Sequence, residues 1–378
     1  MRYSNVFKES LLQKFNGQMN AMVNLGYDVW YIRWDGINFY LVNINTGLQK
    51  FMFRAKAMKQ SVYYHSFYYI DLFNIARKVI EEYKFDYIYV RMMPMFKSAK
   101  NFMKRCNSEN IKVVLEIPTY NYGEEQKEEK RLFVKVGTLV TNYYRKKINE
   151  YISLYTIIGR KEEGEFNGKS AININNGIDL SQVPQKQTFD LKEGCLQLIG
   201  VASMRFWHGY DRVIRGLAQY HNRTAIRIHL VGPDCDGSLH AWESLIRKYN
   251  LENEIVIHGP IYGKKLDELF ECCHIGLGSL GLFRIQMENG AVLKLREYMA
   301  RGIPFIYSGK DPSISKDFPY ALHVSNSDEA LDFEEIVSFV RQIQKKKDVP
   351  QKMRNYAYEN MSWEKEFSKI MEVLDKIE

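Results

Sequence analysis

The sequence predicts an α/β protein of two domains, each built around a mainly parallel β-sheet. Three observations carry this expectation. At 378 residues the chain is long for a single hydrophobic core. Short apolar runs of strand length alternate with stretches of helical apolar spacing in both halves. In the second half, apolar runs close in glycine, as at Gly232-Pro233 and Gly259-Pro260, before the next helical stretch begins.

The first half opens on polar residues and then a helical pattern through Val6, Leu11, Leu12, Phe15, Met19 and Met22 that Gly26 ends. Val29–Ile32 reads as a strand, with Phe39–Asn43 as a further strand of a hairpin. A doubly wound sheet usually begins with a strand ahead of its first helix; here that strand is missing or very short. Arg54, Lys56 and Lys59 lead into the aromatic run Val62–Ile70, a composition that suits either a membrane interface or inward packing. Ile70–Lys84 reads as a helix, Tyr87–Arg91 as a buried strand, Ser98–Cys106 as a helix and Val113–Ile117 as a strand. Glu116, Thr119 and Tyr120 stand where that strand ends, the edge at which open α/β sheets bind ligands. Glu125–Arg131 reads as a solvated helix start and Leu154–Ile158 as another strand.

Ile172–Asp179 is a short strand closing in an Asn-Gly turn, and the polar stretch Ser181–Glu193 is a linker. Leu196–Ala202 restarts a buried strand whose following loop carries Arg205, His208 and Gly209. Strands follow at Ala225–Val231, Ile255–Ile257 and His274–Gly278, with helices at Trp242–Tyr249 and Lys264–Cys272. These units predict a second Rossmann-like domain. No Gly-x-Gly-x-x-Gly follows any strand, and no Gly-x4-Gly-Lys-Ser/Thr loop occurs. Helices are expected at Phe333–Lys345, Lys352–Tyr358 and Ser362–Ile377, the last with Ser362 as its N-cap.

The central stretch is Asn289–Phe305. Val292, Leu295, Met299 and Ala300 recur at helical spacing, Gly302 fits just past the helix end, and Pro304 prevents continuation. Lys294 and Glu297 share a face of that helix. A cation so near a helix N-terminus opposes the macrodipole unless an anion lies between them, and a phosphate on the first amides would supply that anion. The alternative is an ordinary surface Lys–Glu pair.

Composition narrows the class. Hydrophobic residues at 46% and charged residues at 26% describe a globular protein. No stretch approaches the ~20 apolar residues of a membrane span, and no secretion signal is evident. The five cysteines lack metal-ligand spacing and read as reduced thiols of a cytoplasmic protein. Residues 1–185 hold 27 Lys and Arg against 18 Asp and Glu, a net +9, while the remainder nets −1. An anionic partner for the first half is therefore expected, with a membrane surface ahead of nucleic acid, for which no motif is present.

The residues resemble a known family. Asn176-Gly177-Ile178-Asp179, Arg205 with Gly209, Gly232, Gly259, Glu297-Tyr-Met-Ala-Arg-Gly-Ile-Pro and Ser362-Trp363 are similar, in order, to family-4 (group 1) glycosyltransferases of GT-B fold. Glu116-Ile-Pro-Thr-Tyr is similar to the sugar-binding half of the capsule and exopolysaccharide enzymes. The resemblance implies two Rossmann-like domains facing across a cleft: residues 1–185 for the acceptor, 186–360 for the nucleotide-sugar donor, and 361–378 as a helix crossing back to the first. It implies transfer of a sugar from a nucleotide sugar to a saccharide, on a lipid-linked acceptor at the inner membrane face, with retention of configuration. Carried over residue by residue, Glu297 binds the ribose and Arg205 the diphosphate. His208 stands where the family has Lys, and Lys294 supplements the charge that a His lacks. Gly209, Gly259, Glu288, Asn289, Gly290 and Ala291 complete the donor site; Glu116, Thr119 and Tyr120 contact the acceptor. Asn289 replaces the first Glu of the family's Glu-x7-Glu pattern, with Glu288 one place off. No Asp-x-Asp motif occurs, so neither a metal nor a separate cofactor is expected. The alternatives are a nucleotide-sugar epimerase on the same fold and a non-catalytic partner subunit.

Overall fold

The computed structural model describes residues 9–54, 64–118, 132–160, 162, 164–191, 194–288 and 290–377. The chain divides into two compact units. The first comprises Gln18–Asn175 with the chain from Glu366 onward, and the second Asn176–Lys365 with the start of the first helix through Gly17.

In the first unit, α1 (Glu9–Asn24) leads to β1 (Trp30–Trp34), β2 (Asn38–Asn43) and β3 (Gln49–Arg54). These three strands form a separate antiparallel sheet. The strand expected at Val29–Ile32 thus belongs to a meander, because its short connections leave no room for a crossover helix. Residues 1–8, where a strand ahead of α1 would stand, lie outside the described residues. The meander packs Trp34, Phe39 and Leu41 on Ile75 and Val79 of α2 (Tyr64–Glu82). Tyr68, in the aromatic run, lies with its ring 5.1 Å from Trp34 and 5.6 Å from Phe39, so this tyrosine packs inward. Residues 55–63 and 119–131 lie outside the described residues.

The second sheet of this unit contains β4 (Tyr87–Arg91), β5 (Lys112–Ile117), β6 (Leu154–Ile158), β7 (Gly164–Phe166) and β8 (Lys169–Ile174), in the order β4-β5-β6-β8-β7. All its pairs are parallel except the β7–β8 hairpin. Helices α3 (Lys97–Ser108) and α4 (Leu132–Ile148) supply the crossovers. The chain's last residues join this unit: the Tyr87 hydroxyl donates to Asp375 at 3.1 Å and Lys112 Nζ to the Leu374 carbonyl at 3.1 Å.

The second unit alternates regularly through β9 (Leu196–Val201), α5 (Tyr210–Gln219), β10 (Ile226–Val231), α6 (Ser238–Lys248), β11 (Ile255–Gly259), α7 (Lys264–Cys272), β12 (Ile275–Leu277), α8 (Leu293–Arg301), β13 (Phe305–Ser308) and β14 (Ala321–Val324). The strands form one parallel six-stranded sheet in the order β11-β10-β9-β12-β13-β14, the doubly wound Rossmann arrangement. Helices α9 (Phe333–Gln344), α10 (Val349–Met361) and α11 (Trp363–Leu374) follow. The Ser362 hydroxyl accepts from the Lys365 amide at 3.3 Å, as an N-cap does.

Residues 176–185, which the sequence reading places with the first domain, join the second unit through two anchors. Ile178 bridges to Ser362, and the Asn176 side chain donates to the Ala291 carbonyl at 2.8 Å. Trp363 is 1% exposed, and a Cβ on Gly177 would sit 2.6 Å from its ring. The Asn-Gly turn and the Ser-Trp pair are therefore two halves of one packing joint.

Candidate functional site

Strands β9 and β12 are neighbours in the sheet although β10 and β11 lie between them in sequence. Their carboxyl ends therefore mark the sheet's switch point, the place at which open α/β sheets bind ligands. Two loops border it, Ala202–Gly209 after β9 and Gly278–Gly281 after β12.

The first loop is held by its backbone. Met204, fully buried, donates its amide to the Pro233 carbonyl at 2.8 Å, and the Phe206 amide donates to Asp236 at 3.0 Å. Phe206–His208 then form a short 3-10 turn ended by Gly209 at φ +66°. The two loops zip together there: Leu280 N–H donates to the His208 carbonyl at 3.0 Å and Gly281 N–H to the Trp207 carbonyl at 3.2 Å. A Cβ on Gly209 would meet the Gly281 nitrogen at 2.7 Å, so both the left-handed conformation and the close approach require glycine.

Arg205 opens this turn with its guanidinium 5.0 Å from the Trp207 ring centroid. His208 contacts the Ser203 carbonyl through Nε2 at 3.1 Å and the Ser279 hydroxyl through Nδ1 at 3.2 Å. Lys294, entering from the first turn of α8, places Nζ 3.1 Å from His208 Nδ1 and donates to the Tyr210 hydroxyl at 3.1 Å. The His208 ring stacks on that of Tyr210, centroids 5.9 Å apart. Burial, and after it the neighbouring Lys294 charge, hold the imidazole well below its ordinary pKa, so His208 is neutral near pH 7. Burial also pushes the Lys294 amine down to about 7.

Helix α8 buries Leu295, Tyr298 and Met299 and ends at Gly302, φ +77°, with Ile303 N–H donating to the Tyr298 carbonyl at 2.9 Å. Lys294 and Glu297, three residues apart, turn to different partners. Glu297 accepts from Arg301 Nε at 3.0 Å, and Arg301 also donates to Asp267 at 2.7 Å. The fully buried Arg296 fixes the helix: it binds Asp311 through both carboxylate oxygens, donates to Ser313 at 3.0 Å and to the Asn176 carbonyl at 2.9 Å.

The loop before α8 departs from one expectation. Gly290 N–H donates to the Lys310 carbonyl at 2.9 Å while Lys310 N–H donates to the Glu288 carbonyl at 2.6 Å. The Gly290 amide is thereby committed inside the fold and does not serve as a phosphate donor. Ala291 is buried. Asn289 lies outside the described residues, as do Thr119 and Tyr120. Gly259 ends β11, two strands from β9 and therefore about 10 Å along the sheet from Arg205's strand.

Glu116 belongs to the first unit, at the carboxyl end of β5, with a side chain that is 0% exposed. It accepts from Gln18 Nε2 at 2.8 Å and the Tyr89 hydroxyl at 2.7 Å, and Arg91 stands 3.8 Å away. The structure turns this carboxylate inward, where the sequence places it facing an acceptor. Desolvation holds the Tyr89 hydroxyl far above its ordinary pKa, so it acts as donor.

Sequence reasoning missed Ser279, Tyr210 and the Arg296–Asp311 pair. Tyr210 carried a signal: Val213, Ile214 and Leu217 have the helical spacing that makes Gly209-Tyr210 a helix start. Among the described residues, no group of three or more His, Cys, Asp or Glu is placed to hold a metal ion.

No family model matches the sequence, and no curated protein matches it. Solved structures do match in fold. Sucrose-phosphate synthase from Thermosynechococcus elongatus is 13% identical with a TM-score of 0.58, covering 95% of this chain and 91% of its own. A glycosyltransferase from Rickettsia africae ESF-5 is 15% identical with a TM-score of 0.57, covering 85% and 83%. Anabaena Alr3699/HepE, solved in complex with UDP, is 14% identical with a TM-score of 0.54, covering 80% and 82%. These structural neighbours are GT-B glycosyltransferases, and the chain has the GT-B fold.

Proposed function

We propose that the protein is a retaining glycosyltransferase of the family-4 type, moving a sugar from a nucleotide sugar to a saccharide acceptor. The observation that carries the reading is that Arg205, from the loop after β9, and Lys294, from the first turn of α8, both act on His208 at the switch point of the second unit's sheet, where this fold class takes nucleotide ligands. That Anabaena Alr3699/HepE was solved with UDP, with UDP and glucose, and with UDP-glucose supports it.

Departure of a nucleoside diphosphate places negative charge on the leaving phosphate. Fixed cations facing it lower the barrier, since they need no reorganisation as the charge develops. Arg205 and Lys294 take that role, and the first-turn amides of α8 add the positive end of its dipole. Glu297, steadied by Arg301, holds the ribose hydroxyls. No carboxylate is assigned as nucleophile: the acceptor attacks from the face the diphosphate leaves, which retains configuration, and no metal takes part. Anomeric analysis of the product by NMR tests this, and an inverted product would refute it.

Burial of Lys294 gives the site a pH signature. A bound diphosphate favours the ammonium and raises its pKa. Below about pH 7 the free protein already carries the charge and affinity is at its plateau. Above it, binding must take up a proton, and affinity is expected to fall by up to about tenfold per pH unit. His208 and Tyr210 are the titratable groups that touch it; burial holds the imidazole neutral and the phenol protonated between about pH 6 and 9. Calorimetry with UDP-glucose, whose phosphates do not titrate in this range, reads the slope directly; affinity that rises with pH would contradict the assignment.

The acceptor reading is lipid-linked, at the inner face of the cell membrane. Helix α4 supports it: Leu139, Val140 and Tyr143 are exposed, at 69, 38 and 57%, and Arg145, Lys146 and Lys147 occupy its last turn. Among the described residues, no helix is long and apolar enough to cross a membrane, so attachment would be peripheral. Co-sedimentation with vesicles containing anionic lipid should exceed that with neutral vesicles and drop on Leu139→Glu/Tyr143→Glu; equal binding to both would remove this part of the reading.

A further inference from the structure

His208 stands at the switch point in contact with Lys294, Ser279 and the Ser203 carbonyl, and its hydrogen bonds assign it one tautomer. The Ser203 carbonyl oxygen, 3.1 Å from Nε2, can only accept, so Nε2 carries the hydrogen. In the neutral ring Nδ1 is then a bare lone pair. Both of its neighbours, Lys294 Nζ at 3.1 Å and the Ser279 hydroxyl at 3.2 Å, are able to donate to it. With both ring nitrogens engaged inside the protein, the imidazole has no donor left for a phosphate.

Lys294 has the complementary arithmetic. An ammonium carries three donors. One goes to His208 Nδ1 and one to the Tyr210 hydroxyl, which leaves a single donor with a fixed direction. The amine lies 5.3 Å from the Tyr210 ring centroid, and that ring is fully buried and stacked on His208, so the cradle is rigid.

We propose that His208 is a positioning residue that does not touch the nucleotide: its Nδ1 lone pair, with the Tyr210 hydroxyl, aims the Lys294 ammonium so that its remaining donor meets the diphosphate. The proposal rests on the nucleotide-sugar reading above and reassigns the charge at that site from residue 208 to residue 294. It also explains how a histidine stands where a fixed cation is expected.

The test compares binding of UDP, GDP, ADP and dTDP with that of the matching nucleosides, which isolates the diphosphate contribution. For the diphosphate that binds wild type, His208→Leu is expected to lose about 10- to 100-fold in affinity, the worth of a directed charge-assisted contact, with nucleoside affinity unchanged. His208→Asn, whose side-chain oxygen can accept from Lys294, should stay within a few-fold of wild type. In a Lys294→Met background, His208→Leu should cost nothing further, since the two act as one element. Independent, additive losses would overturn the proposal, as would a His208→Leu protein that binds the diphosphate normally. A second readout needs no variant at the site: in nitrogen-15 histidine-labelled wild type, the His208 ring should show the neutral Nε2–H tautomer with and without the diphosphate. A cationic ring on binding would overturn the proposal while leaving the nucleotide reading intact. Wild type that binds none of the four diphosphates overturns that reading, and this proposal with it.

Discussion

Arg205→Ala is expected to lower kcat by about 100- to 1,000-fold, the usual cost of removing one preorganised group that faces developing charge. The guanidinium is poised at the amino end of the Phe206–His208 turn, 5.0 Å from the Trp207 ring centroid. Among the described residues it forms no ion pair within 4 Å, and its charge also lowers the pKa of Asp236, which orders the same loop. Arg205→Lys keeps the charge but not the planar fork and should recover only part of the loss. The thermal midpoint should move little, because Met204, Gly209 and the backbone bonds to Pro233 and Gly281 hold the loop independently of this side chain. A variant within tenfold of wild-type turnover would remove Arg205 from the site. Turnover is measured with a nucleotide sugar that stabilises the wild-type protein.

Asp311→Ala is expected to be among the most destabilising single changes in the second unit. It would leave the Arg296 guanidinium, itself 0% exposed, without its carboxylate partner in the protein interior. Breaking a buried pair from one side costs about 3–5 kcal/mol, because an uncompensated charge stays buried. At about 2–4 °C per kcal/mol for a unit of this size, the thermal midpoint should fall by roughly 10 °C. Replacing both partners, Arg296→Met with Asp311→Leu, should be milder than Asp311→Ala alone, since no charge is then stranded. Arg296 also donates to the Asn176 carbonyl, and the Asn176 side chain donates to the Ala291 carbonyl at the start of α8. Nucleotide affinity should therefore fall in Asp311→Ala at temperatures where the protein is still folded. Equal midpoints for Asp311→Ala and wild type would show that the pair carries no stability.

How far the fold was legible depends on the range of the interactions that made each element. Leu154–Ile158 and Lys264–Cys272 were readable to the residue, because a buried apolar run and a helical spacing are local signals. The β1–β3 meander was only half readable: its hairpin showed, but whether a strand joins a parallel or an antiparallel sheet depends on connections and partners outside the strand. Helix α5 carries the apolar spacing of a helix at Val213, Ile214 and Leu217, but its start after Gly209 is marked by a left-handed glycine rather than by a capping side chain. Arg296 was invisible as a structural residue. It lies one position from Glu297, and nothing local shows that it is buried against Asp311, fifteen residues on.

The candidate site divides in the same way. Arg205, His208 and Lys294 were each singled out by position, at a strand end or a helix start. Their convergence came from strand order, which no local pattern contains. Glu116 shows the opposite case. Its place at a strand's carboxyl end suggested a ligand contact, but a partner 98 residues earlier in the chain, Gln18, turns it inward. The protonation states of Lys294 and His208 were equally out of reach, because burial sets them. A histidine at position 208 looked like a weakened cation; in the folded protein it is a neutral acceptor beside an amine.

The central claim is that the switch point at the carboxyl ends of β9 and β12 binds the diphosphate of a nucleotide sugar. The most direct test is a thermal-shift screen of the wild-type protein against uridine, guanosine, adenosine and thymidine diphosphates and their sugars, repeated with Arg205→Ala and Glu297→Ala. At least one base series should raise the wild-type midpoint, and both variants should lose that rise while keeping the unliganded midpoint. No rise with any of these nucleotides, or an undiminished rise in both variants, would contradict the claim.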